Sequence, residues 1–285
     1  MRIKTATAFV LGLTMYLNGL FADEKPTVAI LATGGTIAGT GTSASSNAYS
    51  AGDMAINTLI ASAHGVENLA NLKFNQVANI PSPDMNDEVW LKLAKAAQEY
   101  LDDDSISGIV ITHGTDTMEE TAYFLNLVLK TNKPVIITGA MRPATALSAD
   151  DPIDLYNAVA AAASEEAKGK GVLIVMDDRI FDARDCSKTN TSTLDTFQSW
   201  NSGALGYIDF GHIKFYKAPL RKHTMDTEFN IKEIKFLPKV DIVSEYEGGI
   251  TDILKFVASR PDVKGIVVAG VGDGNLYNGY RQAYV

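Results

Sequence analysis

Along the chain, solid apolar runs alternate with runs in which apolar residues recur every three or four positions. "TVAILA" (27–32), "SGIVIT" (107–112), "KPVIITGAM" (133–141) and "GVLIVMDD" (171–178) are of the first kind and predict strands buried on both faces. The second kind predicts helices. "DEVWLKLAKAAQEYL" (87–101) sets Trp90, Leu93, Ala94, Ala97 and Leu101 on one stripe. "TMEETAYFLNLVL" (117–129) begins with acidic residues where a helix N-terminus favours them, and "DDPIDLYNAVAAAASEEA" (150–167) opens on an Asp-Pro start signal. Strands and helices in this order specify an α/β fold, a mainly parallel, doubly wound sheet covered on both faces. Ligands of such sheets bind beyond the carboxyl ends of the strands, near the point where strand order reverses. Four polar turns, "TGGT", "THGTD", "TGAMR" and "GVGDGN", fall at such ends.

From 207 to 237 the alternation lapses into a strand or two followed by an irregular connector, and after Pro238 a strand, helix, strand order resumes. The expected organisation is a larger N-terminal domain over 25–216, a linker over 217–238, and a smaller α/β domain over 239–285 that looks incomplete, with one short helix begun and nothing to close it. Residues 1–22 stand apart: Arg2 and Lys4 precede an uncharged, mostly apolar stretch ending at the small residue Ala22, the layout of a secretory signal. No later run is long and apolar enough to span a bilayer, so the expected protein is exported and free of the membrane after signal cleavage.

Composition adds two exclusions. The 285 residues carry a net charge of −9, which argues against a nucleic-acid or anionic-membrane surface. The one cysteine, Cys186, cannot form an internal disulfide, so stability must come from the core despite expected export.

The turns hold the candidate chemistry. Thr36 follows two glycines at a strand exit, and a turn of this kind suits either a phosphate cradle or a hydroxyl presented for reaction. A dinucleotide fingerprint requires G-x-G-x-x-G opening a helix; here G-G-x-x-x-G leads into "TGTSASSNAYSAGD", which reads as a loop. Thr115 and Asp116 place a hydroxyl and a carboxylate at a second strand exit, where either residue could instead cap the following helix. Lys188, in "RDCSKTNT", would complete a proton relay if it lay beside them and partly out of water. His64, His113, His212 and His223 are scattered and form no metal-ligating pair.

Taken together and in order, "ATGGTIAG", "ITHGTDTMEETAYFL", "GAMRP", "LYNAV", "KTNT", "LPKVDI" and "AGVGDGN" closely resemble the bacterial type II, exported L-asparaginases, from about Pro26 to the end. The resemblance implies hydrolysis of the side-chain amide of L-asparagine to aspartate and ammonia, with some action on L-glutamine and no metal or organic cofactor. It implies a periplasmic homotetramer with sites between the larger domain of one subunit and the smaller domain of its neighbour. Carried over motif by motif, Thr36 resembles the nucleophile and Tyr49 the phenol that assists it, while Thr115, Asp116 and Lys188 resemble the relay. Ser82 and Asp116 resemble the groups holding the substrate's α-carboxylate and α-ammonium ends, Ala140 a pocket wall, and Asn275 a contact from the adjacent subunit. Backbone N–H groups near Thr36 and Thr115 are expected to serve the oxyanion.

The chain departs from the family pattern at "NIPSPDMN", where Pro81 stands for a glycine and Pro83 for a substrate-contacting glutamine, and at Asp273 beside Asn275. Proline fixes φ and donates no N–H, so Pro81 is expected to shift Ser82 and Pro83 to lose a contact. Relatives also continue past the equivalent of Val285. These departures set up a second expectation, an inactive or binding-only member of the family.

Overall fold

The computed structural model of the chain describes residues 25–41, 49–50, 56–249 and 251–279. The signal segment and the side chain of Tyr49 lie outside the described residues. The chain divides into two compact units, one ending at Glu233 and the other beginning at Ile234.

The first unit is built on one eight-stranded sheet. In chain order its strands are β1 (Thr27–Gly34), β2 (Thr40–Gly41), β3 (Tyr49–Ser50), β4 (Asn71–Ile80), β5 (Gly108–Thr112), β6 (Val135–Thr138), β7 (Val172–Met176), β8 (Arg179–Asp182), β9 (Cys186–Lys188), β10 (Phe197–Ser199), β11 (Gly206–Asp209) and β12 (His212–Phe215). The large sheet runs β12-β11-β8-β7-β6-β5-β1-β4, while β2 pairs with β3 and β9 with β10 in separate two-stranded ribbons. Pairings from β4 through β7 are parallel, and those of β7 with β8, β8 with β11 and β11 with β12 are antiparallel. The sheet is therefore parallel where the apolar runs predicted it, with an antiparallel flank added by shorter, more polar segments.

Every residue of β5, β6 and β7 is buried, as a strand covered on both faces requires. On one face, Ile30, Val110, Ile136 and Leu173 lie side by side in register and share a core with Leu155, Ala158, Val159 and Ala162 of the helix Asp151–Ala163. Strand alternation turns Leu31, Ile111, Ile137 and Ile174 to the other face. The helix Asp87–Asp102 starts at Asn86, whose side chain accepts from the N–H groups of Glu88 and Val89, and buries Leu93, Ala94, Ala97 and Leu101. Its Trp90 stacks on Phe124 of the helix Met118–Val128 with ring centroids 5.0 Å apart.

Chain order and sheet order disagree at one place. β1 leads to β4 on one side, and the chain then crosses back to β5 on the other, so strand order reverses at β1 and β5. The turns leaving these strands are Gly35–Thr36 and His113–Asp116. Sheet topology thus makes them neighbours at the carboxyl edge.

The first turn of the helix Asp151–Ala163 carries an unusual burden. Asp154 is 2% exposed; its Oδ1 accepts the Asp177 N–H at 3.0 Å, and its Oδ2 has no hydrogen-bond partner. Burial, and after it the charge of Asp150, push this carboxyl well above the ordinary range, with Asp177 and Asp178 adding to the repulsion. The same two causes raise Asp151 to about 6. The folded chain holds the Asp154 proton that the unfolded chain releases near its ordinary pKa of 3.8. That stabilising uptake is complete below the unfolded value and is lost as pH rises through the folded one. Asp154→Asn keeps the acceptor for Asp177 and removes the ionisation, so its melting temperature is expected to exceed wild type by about 4 °C at pH 8, on the order of 1–2 kcal/mol. The gain should shrink at pH 5; thermal melts showing an equal gain at both values would exclude ionisation as the cause.

The second unit pairs β13 (Val240–Ser244) with β14 (Gly265–Ala269) in parallel, bridged by the helix Asp252–Ser259. Val243 and Leu254 form its small core, with Ile266, Val268 and Leu276 packed against them. Asn275 closes a tight turn here, its N–H and C=O both paired with Val271 across Gly272–Gly274.

Candidate active site

Three strand exits meet at the carboxyl edge, and glycines let them do so. Gly35 has φ +86°, and a Cβ placed on it would lie 2.3 Å from the Gly114 nitrogen and 2.4 Å from its Cα. A Cβ on Gly114 would in turn lie 2.6 Å from Ser82 Oγ. The turns after β1 and β5 are therefore in backbone contact, which only residues without side chains permit, and the Ser82 side chain from the turn after β4 packs against Gly114. Thr36 opens a single 3₁₀ turn, Thr36–Ala38, in which the Gly39 N–H donates to the Thr36 carbonyl at 2.8 Å. Thr36, Ser82 and Thr115 are each at most 6% exposed.

Lys188 joins this group from β9. Its Nζ donates to Thr115 Oγ1 at 2.8 Å and to Asp116 Oδ1 at 2.6 Å. The lysine side chain is 15% exposed and the aspartate 57%. A half-exposed ion pair contributes little to stability, so its meaning is orientation: one ammonium bridges a hydroxyl and a carboxylate. Ser82 Oγ accepts the Asp116 N–H at 3.2 Å, which leaves the serine's own O–H available as a donor. The same hydrogen bond occupies the Asp116 N–H and removes it from the donors that could face an oxyanion. The two prolines flank Ser82 at a 3₁₀ turn, Ser82–Asp84, closed by Asp84 N–H to Pro81 C=O at 3.0 Å, and Ser82 lies beside Asp116.

The wall behind Thr115 comes from β6. A Cβ on Gly139 would lie 2.6 Å from the His113 carbonyl and 3.2 Å from Thr115 Cγ2, and the next residue, Ala140, is fully buried. Asp150 shapes this loop by accepting the N–H groups of Met141 and Arg142 at 2.7 and 2.9 Å.

Sequence reasoning passed over His113, which sits inside the turn. Its Nδ1 pairs with the Gly114 carbonyl at 2.7 Å, and Nε2 pairs with Thr121 Oγ1, which accepts from the Trp90 indole. Burial lowers its pKa to about 4, so it is neutral near pH 7, donating through Nδ1 and accepting at Nε2. It braces the turn and carries no charge there. Sequence reasoning also passed over Glu119, whose carboxylate accepts the Lys188 backbone N–H. The signal for Glu119 was its place in the acidic first turn of a helix, ordinarily read as a dipole effect.

The structure thus brings together Thr115, Asp116, Lys188 and Ser82, with Thr36 and Ala140 on adjoining turns. The Tyr49 backbone pairs with Gly41, and its side chain lies outside the described residues. Asn275 belongs to the second unit. Among the described residues no group of three or more His, Cys, Asp or Glu side chains is placed to hold a metal ion, and no helix is long and apolar enough to cross a membrane.

A doubly wound sheet with a hydroxyl–ammonium–carboxylate cluster at its switch point defines an α/β protein with a candidate site at that edge. Residues 27–221 match the family described as Asparaginase, N-terminal. The chain belongs to the asparaginase family. It is 50% identical to L-asparaginase 2 of Escherichia coli and 47% identical to a probable periplasmic L-asparaginase of Haemophilus influenzae, each match covering 96% of this chain and 77% of the relative. It is 47% identical to a glutaminase-asparaginase of Pseudomonas fluorescens over 87% of this chain and 68% of that protein. The crystal structure of a probable cytoplasmic L-asparaginase from Campylobacter jejuni superposes with a TM-score of 0.88 at 44% identity, covering 91% of this chain and 80% of that one.

Proposed function

We propose that the chain hydrolyses the side-chain amide of L-asparagine, releasing L-aspartate and ammonia, with Thr36 as nucleophile. The observation that carries the reading is the Lys188 ammonium bridging Thr115 and Asp116 at the switch point of a sheet belonging to this family. A neutral threonine hydroxyl is a poor nucleophile and needs a proton acceptor as it attacks. The Thr115–Lys188–Asp116 chain supplies one: a proton arriving at Thr115 passes to the lysine nitrogen as that nitrogen passes another to Asp116. Attack on the amide carbon forms a tetrahedral oxyanion, stabilised by backbone N–H groups of the two glycine-flanked turns. Its collapse breaks the C–N bond, the nitrogen takes the relayed proton and leaves as ammonia, and water then cleaves the acyl-threonine ester to give aspartate. Ser82 and Asp116 hold the substrate's α-carboxylate and α-ammonium groups, Ala140 lines the pocket, and Tyr49 together with Asn275 of the partner subunit completes it. No metal or cofactor takes part.

Names among the relatives include both asparaginases and glutaminase-asparaginases, and glutaminase side activity is part of the proposal. The two substrates differ by one methylene, a discrimination of roughly 1–3 kcal/mol. Export to the periplasm follows from the signal-like residues 1–22, and a homotetramer is the proposed assembly. The test is ammonia release by the purified mature protein: turnover of L-asparagine is expected, and aspartate binding by calorimetry without turnover in a folded preparation would replace the proposal with a binding-only role.

A further inference from the structure

β9 is not part of the eight-stranded sheet; among the described residues its three residues pair with the three of β10 alone. A ribbon this short is marginal by itself and cannot hold a lysine to within hydrogen-bond distance of two partners. Asp182 Oδ1 accepts the N–H groups of Arg184 and Asp185 at the start of the 184–188 segment, and the helix Met118–Val128 adds contacts at both ends. At the helix start, the Glu119 carboxylate accepts the Lys188 backbone N–H. One turn later the Tyr123 phenol oxygen accepts from Arg184 at 2.8 Å, and the guanidinium carbon lies 5.7 Å from the centroid of that ring. Residues four apart share a helix face, so one face grips the 184–188 segment at both ends, with Cys186 buried between. This helix follows directly from the turn carrying Thr115 and Asp116.

We infer that Glu119 is a positioning residue for the proposed relay, fixing the Lys188 backbone to the helix that directly follows the turn carrying the relay's other two members. The inference rests on reading Lys188 as part of that relay. A carboxylate accepting an amide N–H makes a hydrogen bond roughly twice as strong as a neutral one, and only an acceptor oxygen at that reach is required. Glu119 touches no reacting atom.

Four variants test this with steady-state kinetics on L-asparagine and thermal melts. Glu119→Gln retains an acceptor of the same length and should keep kcat within about threefold of wild type. Glu119→Ala should lower kcat about thirtyfold with KM changed less than threefold, since misplacing a reacting group by about 1 Å costs up to a hundredfold. Lys188→Met should lose nearly all turnover, and adding Glu119→Ala to it should cost nothing more, as expected of residues acting through one another. If Glu119→Ala does not fold, Glu119→Asp, too short to reach the N–H, should show the same kcat loss at a wild-type melting temperature. Wild-type kcat in folded Glu119→Ala or Glu119→Asp, while Lys188→Met is inactive, overturns the positioning role alone. Full turnover in Lys188→Met overturns the relay reading and the Glu119 role with it.

Discussion

Thr36→Ala is expected to lower kcat on L-asparagine about ten-thousandfold, because loss of the nucleophile removes the covalent route altogether. The rest of the site should persist. Thr36 lies on its own turn, and the Lys188 contacts to Thr115 and Asp116 do not pass through it. The melting temperature should accordingly stay within a few degrees of wild type, a change of about 1 kcal/mol for a chain of this size. Thr36→Ser separates chemistry from packing: it keeps a hydroxyl, gives up one methyl group, and should retain easily measured turnover. Ammonia release by Thr36→Ala at more than about a tenth of the wild-type rate would remove Thr36 from the role and move attention to Thr115, the hydroxyl already paired with the lysine.

The second large effect concerns a residue with no chemistry of its own. Gly35→Ala should destabilise the fold by about 3–5 kcal/mol and lower the melting temperature by about 10 °C. Two costs add. The residue sits at φ +86°, where L side chains are strained, and the new methyl would lie 2.3 Å from the Gly114 nitrogen. That neighbour is backbone, held by a strand of the central sheet, and no rotamer change can relieve the clash. The turns carrying Thr36 and Thr115 must separate instead, so residual folded protein should turn over at least about a hundredfold more slowly. Guanidinium melts and kinetics at 15 °C would check both effects; wild-type stability with wild-type turnover would mean that close contact of these turns is not needed.

The strands that were legible are those whose own side chains require burial. β1, β5, β6 and β7 carry unbroken apolar runs, with threonine or glycine only towards their ends, and such runs call for burial on both faces. β4 escaped because it lies at the sheet edge, where "NLKFNQVANI" can leave Lys73 and Phe74 exposed and still pair along β1 from Thr27–Asn71 to Gly34–Ile80. Its strand character resides in hydrogen bonds to a partner some forty residues away. The helix Asp87–Asp102 shows the same limit on a smaller scale. Its apolar stripe was visible, but buried Gln98 was not, because that amide is satisfied by both the N–H and the C=O of Lys130.

The candidate site divides in a similar way. Which residue types stand at strand exits is a local matter, and the glycine pair before Thr36, the Gly114–Thr115–Asp116 run and the acidic helix start were all visible in the linear chain. The proximity of Lys188 to Thr115 and Asp116 was implied only by the family resemblance, since more than seventy residues separate them and no local pattern links them. The proton retained on Asp154 and the neutrality of His113 were hidden for the same reason: a pKa answers to desolvation and to neighbours brought in by the fold. The amino-acid order alone determined the α/β class, the strands that had to be buried and the hydroxyls offered at their ends, because periodicity and turn chemistry are short-range. Only the tertiary structure decided which of those groups meet, which carry charge and what holds them in place, because distance in space and exclusion of water exist only once the sheet is assembled.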